Sequence, residues 1–323
     1  MRITETTIPG LLIIDLNVHG DNRGWFKENW QREKLTELAP ELASFQPVQN
    51  NISYNHAGAT RGLHAEPWDK LVSVAHGKIF GAWCDLREGS ESFGEVVTHE
   101  VGPETAVFVP RGVANGFQAL EETSYCYLVN EHWSAEARYA AVNLNIVDWP
   151  LEPTEISEKD KQHPNLAEVS PMPARRILVT GANGQLGRAL KRLLADAEFC
   201  THADFDITNP PERNWKQYSA IINCAAYNDV NGAENDRAAA WAVNAEGPAK
   251  LARIAAENQI TLVHVSSDYI FDGANEVHSE EELPSPLSVY GASKAAGDTA
   301  AQTAPQHYVI RTSWVFGDGE NFM

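Results

Sequence analysis

Three glycines in the stretch TGANGQLG, Gly181, Gly184 and Gly187, have the spacing of a phosphate-cradling turn. The first permits the tight turn, the second lets a pyrophosphate approach the backbone, and the third lets helix and strand pack closely. Alone, such a triplet is no more than a strand-to-helix turn. Set between the strand-like RRILVT and the helical QLGRALKRLL, it predicts a dinucleotide held at a helix N-terminus. Further on, SVYGASK puts Tyr290 and Lys294 four residues apart on one face of a helix, and VSSDYIFDG aims Ser267 at the same space. A lysine cation lowers a phenol's pKa, so that Tyr290 can pass a proton to a carbonyl undergoing reduction while Ser267 holds its oxygen. Taken alone, a Tyr-x-x-x-Lys pair is ordinarily just a helix surface. In the first half of the chain, RGLHAEPWDKLVSV sets His64 and Lys70 on either side of a short break between strands. A single histidine in a β-domain is ordinarily structural.

The elements that must position these groups change character near residue 170. Before it, short β-branched and aromatic stretches (GLLIIDLNV, KLVSVAHGKIFGAWCDL, GEVVTHEV, TAVFVP, TSYCYLV) alternate with Gly, Pro and Asn breaks, which predicts an all-β sandwich or jelly roll. After it, RRILVTG, AIINCAA, TLVHVSS and HYVIRTS alternate with the Ala-rich QLGRALKRLLADA and RAAAWAVNAEGPAKLARIAAEN. That is the pattern of βαβ units on a doubly wound parallel sheet, a Rossmann fold. The expected organisation is a jelly roll over residues 1–165, a linker over 166–174 marked by the polar, proline-containing NLAEVSPMPA, and a Rossmann domain over 175–323. At the end of its second strand, EFCTHADFDI shows Thr201 and His202 where an NAD-selective site offers a carboxylate to the ribose. NADPH is therefore the expected cofactor, with NADH open and His202 a candidate for the extra phosphate.

A chain of 323 residues has room for two cores, and its 43% hydrophobic and 21% charged composition is that of a globular protein. The net charge of −19 argues against nucleic acid and anionic membrane surfaces as partners. No apolar run approaches a membrane span, and Met1-Arg2-Ile3-Thr4-Glu5 lacks the basic and apolar segments of a secretory leader. Cys84, Cys126, Cys200 and Cys224 are widely spaced, without a ligand-like cluster. Reduced thiols and a cytoplasmic location are expected.

The glycine turn, Ser267, Tyr290 and Lys294 together resemble the extended short-chain dehydrogenase/reductase family. With FDITNP, NCAAYNDVNGAE, AVNAEGPAKLA, VSSDYIFDG and RTSWVFG added, residues 175–323 resemble dTDP-4-dehydrorhamnose reductase. The resemblance implies that Gly181, Asn183, Gly184, Gln185, Leu186, Gly187, Asp206, Ile207, Ala225, Ala226 and Tyr227 line the cofactor along with Tyr290 and Lys294. Ser267, Tyr290 and Lys294 are implied to be catalytic. Ser267 stands where that family has threonine, and Asp229 to Asn231 read DVN in place of AVD. The family continues beyond DGENFM into the lobe that closes over the sugar nucleotide, so the expected reductase domain lacks its substrate lobe.

Residues 4–165 carry DNRGWFKENW, QNNIS, DLREGSESFG, VPRGVANGF, YLVNEHW, VDWPL and ISEKD, a spread of segments that resembles dTDP-4-dehydrorhamnose 3,5-epimerase. In that chemistry a C4 keto group acidifies the C3 and C5 hydrogens. Inversion needs a base on one face, a stabiliser for the enolate and an acid on the other face. The resemblance implies His64 as base oriented by Asp160, Lys70 supporting the enolate, and Tyr127 returning the proton. Arg23, Glu28, Gln49, Asn50, Asn51, Arg61, Asn115 and Trp133 match positions that bind the nucleotide sugar. Asn115 replaces a family histidine, and Trp133 replaces a tyrosine that stacks on thymine. Cupin-type proteins often hold a metal through two or more histidines and a carboxylate. Here only His64, near Glu66, is available, so no metal is expected.

The expected protein is a fusion of the two activities of dTDP-L-rhamnose synthesis, a homodimer through its jelly roll. An active epimerase carrying a dinucleotide-binding domain that reduces nothing is the alternative. A nucleotide sensor built on both folds would have no need of His64, Asp160, Lys70, Tyr127, Ser267, Tyr290 and Lys294 together.

Overall fold

A computed structural model describes residues 1–135 and 137–317, so that 318–323, the end of the expected reductase domain, lie outside the described residues. The chain divides into two compact units, Met1–Ala174 and Arg175–Met323.

The first unit is a jelly roll of two antiparallel sheets. One runs edge to edge through Arg2–Glu5, Leu12–Asp15, Thr105–Val109, Lys70–His76, Thr123–Val129 and Gln49–Asn55. The other runs through Ala140–Ala141, Thr60–Ala65, Val113–Ala119, Ile79–Asp85 and Val96–Val101. Val72, Val74, Val107 and Val109 of the first meet Ile79, Trp83, Val113 and Phe117 of the second in a common core. Each sheet is also covered on its outer side. Leu35, Leu42 and Phe45 pack against Leu71 and Phe108 on one, and Val142, Leu144 and Met172 against Ala82 and Cys84 on the other. Burial on both faces is why Lys70–Val74 and Thr105–Val109 lack the strict apolar–polar alternation of a half-exposed strand.

Residues 166–174, expected as a linker, are part of this unit. Val169 and Met172 are buried, Met172 N donates to Leu86 O at 2.7 Å, and Glu88 N donates to Met172 O at 2.8 Å. The proline-containing segment is extended because it pairs with the loop after Ile79–Asp85. Its two apolar side chains carry the burial that composition alone concealed.

The second unit is a Rossmann-type parallel sheet in the order Glu198–Cys200, Arg176–Thr180, Tyr218–Asn223, Thr261–Ser267, His307–Thr312. Its first strand lies second from one edge, between Glu198–Cys200 and Tyr218–Asn223, and the order reverses there, which places a switch point at the end of Arg176–Thr180. The helices are shorter than the Ala-rich runs suggested. Gln185–Lys191 spans two turns, and the second run breaks into Arg237–Trp241, a π-turn at Ala242–Glu246 and Gly247–Asn258. Pro248 begins the last piece, where its missing N–H breaks the regular ladder. Val289–Ala301 is capped by Ser288, whose Oγ accepts from Gly291 N at 3.0 Å. Among the described residues no helix is long and apolar enough to cross a membrane.

Candidate active sites

In the jelly roll, His64 lies on Thr60–Ala65 and Asp160 on the short helix Glu158–Lys161, 96 residues away in sequence. Ser157 caps that helix by accepting from Asp160 N at 3.1 Å, which fixes where the carboxylate points. Asp160 Oδ1 bonds His64 Nε2 at 2.8 Å, and Oδ2 accepts from Gly62 N at 3.3 Å. Gly62 has φ +115, and a Cβ there would lie 2.5 Å from Gly116 Cα, so only glycine lets the strand approach this closely. Burial would raise the Asp160 carboxyl, but the His64 contact and the Gly62 and Ser157 hydrogen bonds hold it below the usual range. Asp160 thus stays an acceptor, which keeps a proton on His64 Nε2 and leaves Nδ1 with the lone pair.

Lys70 and Tyr127 come from neighbouring strands of the opposite sheet. The buried Lys70 ammonium contacts the Glu66 carboxylate and lies 5.0 Å from the Tyr127 ring centroid. Burial pushes Lys70 down to about 7, and the Glu66 contact works against that by favouring the cation. Glu66 also accepts from Trp68 Nε1 at 3.0 Å. Tyr127 is raised by burial, with the Arg61 charge acting in the other direction.

The remaining expected sugar-nucleotide contacts divide into two sets. Gln49, Asn50 and Asn51 lie on the strand beside Tyr127, which is directly opposite Asn51. Gln49 Nε2 donates to Asn51 Oδ1 at 2.9 Å, Trp133 N donates to Gln49 Oε1 at 3.4 Å, and Arg61 Nε donates to Asn55 Oδ1 at 2.7 Å. Trp133 leaves its ring 66% exposed. Arg23 and Glu28 are outside this group: Arg23 is exposed on the Gly24 hairpin and paired with Asp21, and Glu28 is paired with Lys34. Asn115 sits opposite His64 but is buried, with its amide engaged inward: Oδ1 accepts from Trp83 Nε1 at 2.9 Å and Nδ2 donates to Tyr125 Oη at 3.2 Å.

Sequence reasoning found only one histidine here. The structure brings in His163, just past the Asp160 helix, with its ring edge-on to His64 at 5.0 Å and its Nε2 3.8 Å from Asp160 Oδ1. The sole trace of it in the sequence is its position three residues after Asp160.

In the Rossmann unit, a cleft of about 720 Å³ opens at the switch point. It is lined by Gly184, Gln185, Leu186, Gly187, Ala226, Ser267, Tyr290 and Lys294 from the expected set. Cys224, Asn228, Val265, Asp268, Tyr269, Thr312 and Trp314 are among the other residues lining it. A Cβ on Gly181 would lie 2.6 Å from Ala225 N and one on Gly187 2.4 Å from Gly181 O, whereas one on Gly184 would meet only Gly181 O at 3.2 Å. The first and third glycines are needed for packing; the second leaves the cleft floor bare, as a pyrophosphate approaching the backbone requires. Gly181, Asn183, Asp206, Ile207, Ala225 and Tyr227 are not cleft-lining. Asp206 bonds Thr208, Ile207 is buried, and Tyr227 N donates to Asn244 Oδ1 at 2.8 Å. His202 is exposed, 3.8 Å from Asp206.

Tyr290 and Ser267 both line the cleft, and Ser267 Oγ donates to Asp268 Oδ1 at 3.1 Å. The lysine does not lower the phenol as expected: burial raises Tyr290 despite Ser267. Lys294 Nζ instead donates to Val265 O at 2.8 Å, and burial pushes it down to about 8 against the Asp298 charge.

Comparison with known proteins follows the same division. Residues 5–168 match the family model of dTDP-4-dehydrorhamnose 3,5-epimerase, and residues 175–323 match that of the RmlD substrate binding domain. A Streptococcus pyogenes serotype M6 protein described as an RmlC homolog is 51% identical over 176 residues, covering 51% of this chain and 89% of that one. The dTDP-4-dehydrorhamnose reductase of Mycobacterium tuberculosis is 42% identical over 164 residues, covering 46% of this chain but 54% of the reductase. The chain thus spans about half the length of the curated reductases it matches. Among solved structures, RmlC from Streptococcus suis in complex with dTDP-D-xylose shares 46% identity at a TM-score of 0.50, over 53% of this chain and 94% of that one.

Proposed function

Since the chain belongs, over residues 5–168, to the dTDP-4-dehydrorhamnose 3,5-epimerase family, we propose that its jelly roll inverts C3 and C5 of a dTDP-4-keto-6-deoxyglucose through an enolate. The Rossmann unit then reduces the C4 ketone. The observation that carries the reading is the 2.8 Å His64–Asp160 pair facing a domain whose other sheet supplies Lys70 and Tyr127.

His64 Nδ1 takes the proton from a carbon beside the ketone, and Asp160 stabilises the imidazolium that forms. The Lys70 cation, kept charged by Glu66, holds the C4 oxygen as negative charge builds on it. The Tyr127 hydroxyl, its pKa raised by burial, returns a proton to the opposite face. Gln49, Asn50, Asn51, Arg61 and Trp133 hold the nucleotide sugar, while Arg23 and Glu28, paired with Asp21 and Lys34, and Asn115, turned into the core, are left out of this set. The nucleotide sugar carried by the Streptococcus suis protein supports a dTDP-linked substrate.

In the Rossmann unit a reduced nicotinamide, NADPH in preference to NADH, supplies hydride when bound. Tyr290 donates a proton to the ketone oxygen, Ser267 holds that oxygen, and Lys294 binds the cofactor's ribose side of the cleft. Gly184 and Gln185 receive the pyrophosphate. The jelly roll pairs with a second copy through the Gln49–Asn55 edge, whose Ile52 and Tyr54 are 68% and 59% exposed.

Purified protein given dTDP-4-keto-6-deoxyglucose in heavy water, with and without NADPH, tests both halves by NMR. Deuterium at C3 and C5 is expected without cofactor, and a C4-reduced rhamnosyl product with it. No deuterium at either carbon overturns the epimerase. Label without NADPH oxidation leaves an epimerase alone, the second reading.

A further inference from the structure

His163 has no part in either reaction above. Its side chain is only 7% exposed, yet neither ring nitrogen has a hydrogen-bond partner among the described residues. A buried imidazole is normally satisfied, so one with two idle nitrogens, set edge-on to His64 and 3.8 Å from Asp160, is available for a ligand. One donor atom each from His64, Asp160 and His163 lies within 4.8 Å of the others. Two imidazoles and a carboxylate are a donor set for borderline divalent transition ions, with the fourth position left to solvent. The opening lies on the side of His64, whose side chain is 37% exposed. Zinc bonds of about 2.0–2.1 Å in a tetrahedral shell set donor atoms roughly 3.3 Å apart, so the 2.8 Å His64–Asp160 pair opens slightly and the 3.8 Å His163–Asp160 approach closes by a similar amount.

We propose that His64, Asp160 and His163 form a binding site for a divalent transition-metal ion of the Zn²⁺ class, and that its occupancy switches the jelly-roll activity off. The ion binds at His64 Nε2, and the single N–H proton of the neutral ring shifts from Nε2 to Nδ1. With Nε2 metallated and Nδ1 protonated, the lone pair that would attack the sugar is gone. The inhibitory part rests on His64 being the base; the binding part does not.

The test compares the full chain with His163→Gln and His163→Phe, the latter keeping an aromatic ring against His64. Zn²⁺ binding is followed by calorimetry without substrate, and Co²⁺ binding by visible absorption. One tight ion per chain is expected, weakened at least tenfold in both variants. Deuterium exchange into the sugar is then measured in zinc-buffered solution. The unaltered chain should lose activity with added Zn²⁺ and recover it with chelator. The variants should match its metal-free rate and need at least tenfold more zinc for the same inhibition. The chain has 11 histidines in all, so equal zinc affinity in all three proteins would place the ion elsewhere and overturn the site. Binding that depends on His163 while zinc leaves exchange unaffected would overturn the inhibition. A chain that binds zinc through His163 but exchanges nothing even without metal keeps the site and fails the epimerase reading.

Discussion

The Lys70 ammonium stands 5.0 Å from the centroid of the Tyr127 ring, so the side chain proposed to stabilise the enolate lies against the ring of the side chain proposed to return its proton. Their removal should nevertheless separate. Lys70→Met removes stabilisation of the enolate itself, so deuterium exchange and net inversion should fall together, by about 10²–10³-fold. Tyr127→Phe removes only the acid on the second face. Exchange should continue near its original rate while inversion falls by about 10²-fold. NMR of label and configuration in the same sample checks both, and equal losses in Tyr127→Phe would reassign the acid.

Asp160 holds His64 Nε2 at 2.8 Å and thereby selects the tautomer. Asp160→Asn can present an N–H to that nitrogen, which turns the ring's other nitrogen into the donor. The exchange rate should drop about 10²–10⁴-fold with unchanged circular dichroism. His64→Ala should abolish exchange while NADPH still binds the Rossmann unit, as followed by the cofactor's fluorescence.

Asn115 is predicted to matter first for stability. It accepts from buried Trp83 Nε1 at 2.9 Å and donates to Tyr125. Asn115→Leu leaves the indole N–H without its acceptor in a dry core, at a cost of about 1–3 kcal/mol. Urea unfolding followed by tryptophan fluorescence measures it. A loss of activity with no loss of stability would return Asn115 to the substrate-binding group.

The sequence made the two architectures legible because each is written in local periodicity: short β-branched stretches with breaks, then strands alternating with Ala-rich helices. Glycine spacing located the cofactor turn because Gly181 and Gly187 are constrained by the backbone they touch. What stayed hidden depends on long-range approach. His163 sits 99 positions after His64 and becomes meaningful only once the Asp160 helix folds onto the Gly62 strand. Met172 looked like linker because its partner, the loop after Asp85, is remote in sequence. Lys294 matched the expected spacing, but only the folded chain reveals that its ammonium is engaged by Val265 O rather than set against the phenol.

Tyr290→Phe leaves the cleft's shape and Lys294 in place while removing the phenol hydroxyl from the cleft lining. NADPH affinity should change less than threefold, and any NADPH oxidation with the ketosugar should fall by about 10²–10⁴-fold. Stopped-flow absorbance separates binding from turnover. Undiminished oxidation would remove Tyr290 as proton donor.

Asp85 should govern the acid stability of the jelly roll. The carboxylate is fully buried, and burial by itself would raise it; hydrogen bonds from Arg87, Ser92 and Ser90 instead bring it from 3.8 down to about 2. Its folded pKa lies below the unfolded one, so the stabilisation is complete above the unfolded value and is lost as pH falls through the folded value. The shift corresponds to about 2 kcal/mol, disappearing between about pH 5 and pH 2. Asp85→Asn keeps the shape but strips Arg87 of its partner. At pH 7 the variant should be less stable by about 2–4 kcal/mol. Its calorimetric midpoint should also fall less steeply than that of the unaltered chain as pH drops from 5 to 3. Parallel slopes over that interval would show that some other carboxylate sets the acid limit.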